Sequence, residues 1–392
     1  MNKQYAGLLA ASVLLLTLIL PLSGCWDNRE LDSLFIVTGV ALDKASDPGQ
    51  MDIAVQIGKT NLNDSNSGKS NSEKDYSITL KTTAGTMMEG LVQFDRNSSR
   101  ALLLQHNQVL LLGTDLAEQG VGDRIDLFMR DQEARMEVLV MVADGRGEEI
   151  LSAKLGQEEI SGMYLSRVMQ DLYAVSPHYR TRMLDFLSRL RDETSSPVAP
   201  VVKLYEKDGR QQISIDGMAV LKNDRMVGHL NNDGVLGYLW AMGEVRGCAA
   251  IAQSDLGRVA LHIANLDTKR DVFLCPDGGV RVVLSVDATL SIGELRGFSE
   301  MTPEDLIPYL IRLAQNKIRS RITDTFKTAQ ELNADIYRFG ASVHRTYPKE
   351  WRDMKKHWDE LFPEIELEVN VKVHLPSTGQ ILKSIEMEGS RP

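Results

Sequence analysis

Hydrophobic and polar positions change period several times along the chain, and each change marks an element. LFIVTGVALDK (Leu34–Lys44) and MDIAVQIG (Met51–Gly58) are rich in β-branched and apolar residues and are separated by the turn Asp47-Pro48-Gly49, so they predict two paired strands. SITLKTTAGTMMEGLVQF then predicts a strand followed by a helix that begins near Thr86. VLLLG (Val109–Gly113) and EVLVMVADG (residues 137–145) are short apolar runs of strand length. Helical spacing occupies residues 123–131, 147–155, 162–174 and 181–190. Between the first strands and these runs, residues 61–74 are rich in Asn, Ser, Asp, Gly and Lys, the composition of a mobile loop. Strands and helices are mixed here without a regular βαβ rhythm, which predicts an α+β fold.

After Ser195-Ser196-Pro197-Val198-Ala199-Pro200, whose turn-forming residues predict a linker, the pattern turns to strands. VVKLYE, QQISIDGMAVLK and RMVGHL come first, with a turn at Lys222-Asn223-Asp224, and a helix is predicted from about Asn232. VALHIANL and DVFLC precede the hairpin turn Asp277-Gly278-Gly279. In the following strand Val280, Val282, Leu284, Val286, Ala288 and Leu290 share one face. Thr302-Pro303-Glu304-Asp305 combines a capping hydroxyl, a proline at the first helical position and acids in the first turn, a helix start. Leu306, Leu310, Ala314, Ile318, Ile322 and Phe326 then mark one face of a long amphipathic helix. Trp351, Met354, Trp358 and Leu361 form a second helical stripe, read as core rather than as a contact surface. Ile365, Leu367, Val369, Val371, Val373 and Leu375 alternate with polar residues, as in an antiparallel sheet covered by helices on one side. The predicted architecture is a multidomain α+β protein with mixed or antiparallel sheets, helices on one face, and a C-terminal antiparallel sheet under long helices. Its expected parts are a leader at 1–24, an N-terminal α+β domain at 25–196, and a C-terminal region at 201–392. That region divides into a small β-rich subdomain (201–255) and a sheet with long helices (256–392).

The first residues are unlike the rest. Lys3 is the only charge before Asp27, and residues 5–22 carry nothing ionised. A short cationic start, an apolar stretch and small residues before a cut site make a secretory signal peptide. Leu22-Ser23-Gly24-Cys25 resembles a bacterial lipobox, in which the Cys25 thiol takes a diacylglyceryl group, cleavage follows ahead of it, and the new amino group is acylated. The competing reading is an uncleaved membrane-spanning anchor, for which the run is just long enough. Pro21 and Gly24 break its far end, and the lipobox accounts for Cys25. Acyl chains at ~0.8 kcal/mol per buried methylene would hold such a protein on the bilayer. Cys25 and Leu34 are nine positions apart, at most roughly 30 Å when extended, which sets the first strand near the membrane surface.

Hydrophobic content of 43% and charged content of 25% are those of an ordinary globular protein. The net charge of -10, or -11 once Lys3 is removed with the leader, argues against nucleic acid as a partner. Cys248 and Cys275 are the other cysteines, able either to pair or to remain two buried thiols. No catalytic constellation stands out: H-E-x-x-H and G-x-S-x-G are missing. Gly68-Lys69-Ser70 has Asn63 where a P-loop needs its leading glycine, and Gly145-Arg146-Gly147 lacks the third glycine of a dinucleotide turn. His344 and His357 lie near Asp353 and Glu360 without the i, i+4 ligand pair of a helical zinc site. Glu148-Glu149 and Glu158-Glu159 point about 100° apart on a helix, the mark of a solvated face. The sequence thus predicts no catalytic residue, no metal site and no cofactor.

Three blocks carry a family resemblance. Cys25-Trp26-Asp27 with Arg29-Glu30-Leu31, then Gly39 and Asp43-Lys44, resembles the mature start of the Ger(x)C family, the C-subunit lipoproteins of spore germinant receptors. DGMAVLKNDRMVGHLNNDGVLGYLW is similar to that family's G-A-V-F-K-x-x-K-L-V-G-x-L block, with Leu221 in place of the usual aromatic and Arg225 in place of the usual lysine. YRFGASVHRTYPKEWRDMKKHWDELFPEIELEVNVKVHLPSTG resembles its C-terminal signature of P-K-x-W, a second tryptophan, F-P and an alternating strand. The resemblance implies a non-enzymatic subunit, lipid-anchored at Cys25 on the outer face of the spore inner membrane. It would work beside integral-membrane A- and B-type subunits, one channel-like and one transporter-like, in sensing nutrients and triggering germination. It assigns no catalytic residue and leaves direct binding of a germinant by this subunit open. The alternative is a solute-binding lipoprotein of a membrane transporter, which two parallel α/β lobes on a longer tether would favour. A cell-wall hydrolase is disfavoured by the missing catalytic motifs.

Overall fold

A computed structural model describes residues 33–59, 76–130, 135–155, 160–175 and 179–376. The leader, Cys25, the polar stretch 61–74, Gly68-Lys69-Ser70 and Glu158-Glu159 lie outside the described residues.

The first sheet is built from β1 (Leu34–Lys44), β2 (Met51–Gly58), β3 (Ser77–Ala84), β4 (Ala101–Leu103), β5 (Val109–Gly113), β6 (Leu139–Ala143), β7 (Val198–Lys207), β8 (Arg210–Lys222) and β9 (Arg225–Leu230). Its order is β3-β2-β1-β5-β6-β7-β8-β9, with β4 beside the start of β1. The four central strands β1, β5, β6 and β7 run parallel, and antiparallel hairpins close both edges. VLLLG and LVMVA are buried at every position because helices cover both faces here. On one face pack α1 (Met87–Asn97), α2 (Thr114–Gln119), α3 (Asp126–Arg130) and α6 (Met183–Leu190); on the other pack α4 (Gly147–Leu151) and α5 (Ser161–Val175). Thr86 caps α1 as its hydroxyl accepts from Glu89 N at 3.1 Å.

The linker expected at residues 195–200 is instead buried structure. Ser195 and Ser196 are shielded, Ser196 N donates to Asp335 O at 3.0 Å, and Val198 opens β7. The turn-like composition has a local use: Asp192 accepts from Thr194 Oγ1 and Ser195 Oγ. Pro200 is tolerated because the β7–β8 ladder slips register beside it, where a missing donor costs little. The first sheet therefore runs across the boundary expected at 196–201, and residues 198–230 supply its last three strands rather than a separate subdomain.

α7 (Asn232–Met242) is apolar nearly all round, and Val235, Tyr238, Leu239, Trp240 and Ala241 are all buried, as such a helix requires. Asn231 caps it through Gly234 N at 2.9 Å, and Gly243 ends it in the left-handed region. The second sheet follows, in the order β10 (Cys248–Ser254), β11 (Gly257–Leu274), β12 (Val280–Gly297) and β13 (Glu366–His374). α8 (Pro303–Glu331) lies over one face, with all six residues of its predicted stripe buried. The Thr302 hydroxyl accepts from Asp305 N, as the cap signature requires. Three strands of this sheet are antiparallel, but β13 runs parallel to β12, from Arg281 beside Glu366 to Thr289 beside His374. The intervening α8, α9 (Phe339–Thr346), α10 (Trp351–Met354) and α11 (Trp358–Leu361) supply the long crossover that a parallel neighbour needs. Trp351 and Trp358 are buried and meet edge-on at 5.2 Å, core residues as expected.

Candidate functional site: an arginine-lined cleft

The residues singled out in sequence resolve into structural roles. Asp43, part of the family-like start, extends its carboxylate to the first turn of α4, accepting from Gly147 N at 2.7 Å and Glu148 N at 2.9 Å. Burial raises the Asp43 pKa, and those backbone donors with the Arg146 charge oppose the rise. The amides of Gly147 and Glu148, at the end of the turn Gly145-Arg146-Gly147, are thus taken by an internal carboxylate, where a dinucleotide turn would present amides to phosphate. Glu148 pairs with Lys81 and Arg146. His344 stacks on Trp351, and His357 lies 3.4 Å from Glu360 at the surface. No group of three metal-ligating side chains occurs among the described residues. Cys248 pairs in the ladder with His262, whereas Cys275 is a free thiol past the other end of β11. At ~3.3 Å per residue the strand holds the two tens of ångströms apart, beyond any disulfide.

Sequence reasoning missed the feature that the fold assembles where the two sheets meet. Burial of α6 against the first sheet carries Arg182 and Arg189; β11 carries Arg270; α9 and its start carry Arg338 and Arg345. With Arg180 these line one cleft of about 600 Å³, facing only Asp185 and Glu244 as carboxylates on its walls. Arg189 is 5% exposed and forms the floor, donating from Nη1 to Ile336 O at 2.7 Å and from Nη2 to the Tyr238 hydroxyl at 3.0 Å. Tyr238 in turn meets Tyr179 edge-on at 5.2 Å and Tyr337 at 5.7 Å, an aromatic base that fixes the guanidinium. Arg270 donates to Tyr337 O at 3.2 Å and lies 3.1 Å from Met242 Sδ. Burial lowers its pKa, and the charges of Arg345 and Arg189 act in the same direction against Tyr238 and Glu244. Glu244, crowded on the wall, has its carboxyl raised by burial while Arg189, Arg270 and Arg246 hold it back. Arg182 bonds Asp185 at 3.1 Å and Glu137 at 3.3 Å, and Arg338 lies 3.7 Å from Asp192. The arginines come from segments up to 165 positions apart in sequence, from Arg180 to Arg345, so no local motif announces them. The available signal was weak: Arg180 and Arg182 two apart, and Arg338 and Arg345 seven apart on one helical face.

Comparison with known proteins agrees with the family-like blocks. The family model described as "Spore germination protein N-terminal domain" matches residues 27–204, and "Spore germination B3/ GerAC like, C-terminal" matches residues 216–379. Spore germination protein KC of Bacillus subtilis (strain 168) is 22% identical over 399 residues, covering 95% of this chain and 96% of the relative. Spore germination protein B3 of the same organism is 21% identical over 373 residues, covering 93% and 97%. The crystal structure of the GerBC protein superposes with a TM-score of 0.53 at 18% identity, over 86% of this chain and 97% of that one, and shares the α+β fold. Matched in order by both halves of the family description, the chain belongs to the GerAC-like family of spore germination proteins, the C subunits of germinant receptors.

Proposed function

We propose that this chain is the lipid-anchored, non-enzymatic C subunit of a spore nutrient germinant receptor, held at Cys25 on the outer face of the spore inner membrane beside integral-membrane A- and B-type subunits. The observation that carries the reading is the pair of family matches, which together run in order from residue 27 to residue 379. A role in germination follows from the family; the anchor draws on Leu22-Ser23-Gly24-Cys25. The non-enzymatic role draws on a sequence without a recognisable catalytic motif. The chain would act through protein contacts, scaffolding or modulating its companions.

Spores carrying Cys25→Ala test this against a panel of nutrients, with non-nutrient triggers as the control. Loss of the response to particular nutrients alone, with the companion subunits depleted from the membrane, is the expected result. Unchanged germination in spores that lack any paralogous receptor would overturn it and favour the alternative of a solute-binding lipoprotein serving a transporter. Incorporation of an alkyne-tagged palmitate into the wild type but not the variant is the chemical counterpart of the same prediction.

A further inference from the structure

We propose that the cleft between α6, β11 and α9 is a binding site for a small solute bearing oxyanions, a polycarboxylate or a phosphate. The whole chain carries a net charge of -10, yet six guanidinium groups and only two carboxylates line this one cleft. Three of the six meet no carboxylate within ion-pair distance among the described residues: Arg189 and Arg270 donate to neutral oxygens, and Arg345 stands exposed at the mouth. A buried guanidinium with neutral partners keeps its full charge, and its field reaches far in a partly dry cleft. Arg270 is partly buried, with Tyr238 and Glu244 favouring its charge and Arg345 and Arg189 opposing it, so a bound anion beside it would add a favourable partner.

Geometry adds to charge. The volume of about 600 Å³ is that of a small-molecule site, too small for a folded partner. Planar guanidinium forks match carboxylate and phosphate oxygens two at a time. Arg338 holds its backbone in the left-handed region at φ +60, a conformation that costs a bulky residue on the order of 1 kcal/mol or more and that collects at functional sites. That conformation places Arg338 at the start of α9 on the cleft wall. Arg189 on its aromatic base and Arg270 on the Tyr337 carbonyl are fixed before a ligand arrives, so little ordering is left for binding. Arg345 and Arg338 would close the exposed side.

The test uses the full lipidated protein in detergent, with citrate and inorganic phosphate as probes at matched ionic strength and glucose as the neutral control. Saturable binding of citrate, seen by calorimetry and as a rise in Tm, is expected if the solute is a carboxylate; saturable binding of phosphate alone assigns the phosphate chemistry. Arg345→Gln, exposed and outside the core, should weaken the bound probe about tenfold, the loss of one charge-assisted contact. Arg270→Gln should weaken it further. Arg130→Gln, an exposed arginine of α3 paired with Asp126, should change nothing. Absence of saturable binding by either anion overturns the proposal, as does equal weakening by Arg345→Gln and Arg130→Gln, which would mean diffuse charge attraction. The outcome is separate from that of the Cys25→Ala experiment, because binding is read on the purified chain.

Discussion

At the scale of single residues, the most consequential side chain is one that no motif marks. Asp335 is 3% exposed, and its carboxylate accepts from Phe339 N at 3.0 Å and Gly340 N at 2.8 Å, tying the end of the α8 segment to the first turn of α9. Burial pushes its pKa up to about 6, against the pull of those amides and of Arg189. The folded protein therefore holds this proton more tightly than the unfolded chain does. Its stabilising contribution is therefore full below the ordinary value of 3.8 and is lost as pH rises through about 6. Wild type should lose up to about 3 kcal/mol relative to Asp335→Asn between pH 4 and pH 7. Urea unfolding of both proteins across that range checks it; parallel pH profiles would contradict the assigned burial. Asp335 looked like any loop aspartate in sequence, because its burial is imposed by segments far away. Asp43 was legible as part of a family-like start, but its role as the cap of α4 was not, since its partners lie more than 100 positions on.

At the scale of elements, what the sequence made legible was whatever a period records. The stripe of α8, its Thr302 cap, the dry face of β12 and the alternation of β13 all appear as read, because each depends on neighbours a few residues away. The direction of β13 was not legible: alternation reports one dry face and is silent on whether the neighbouring strand runs with it or against it. The false linker at 195–200 failed for a related reason, since hydroxyls and prolines signal turns whether or not the turn is buried. The cleft arginines come from separate elements, so no single period records them together. One element contact supports a sharp test. Gly237 of α7 faces α8, and a methyl group there would fall well inside contact distance of Thr325 Oγ1 and the Arg321 carbonyl. The two helices approach this closely only because the side chain is missing. Gly237→Ala should destabilise by about 1–3 kcal/mol through overpacking, despite the better helix propensity of alanine. Thermal unfolding measures it, and an unchanged or higher Tm would mean that α7 can shift freely.

At the scale of the molecule, the two sheets share more than a covalent join. Val198, Met218 and Val220 of the first sheet pack in the same core as α7, α8 and the second sheet. The first family match ends at residue 204, inside β7, so that edge cuts through a ladder. A chain ending at residue 196 should lack a cooperative urea transition, because β6 would lose its neighbour and a shared core would lie open. A sharp transition from that fragment would instead make residues 33–196 a self-sufficient domain. The place of β1 adds a mechanical consequence. The strand nearest Cys25 in sequence is not an edge; it is clamped between β2 and β5 in the middle of the sheet. Tension applied to the N-terminal end of β1 would load two rows of hydrogen bonds along their shared axis, so that they must slide together rather than peel one after another. A chain anchored at Cys25 as proposed would bear a pull from that end without unravelling, and would pass it on to the companion subunits proposed above as displacement.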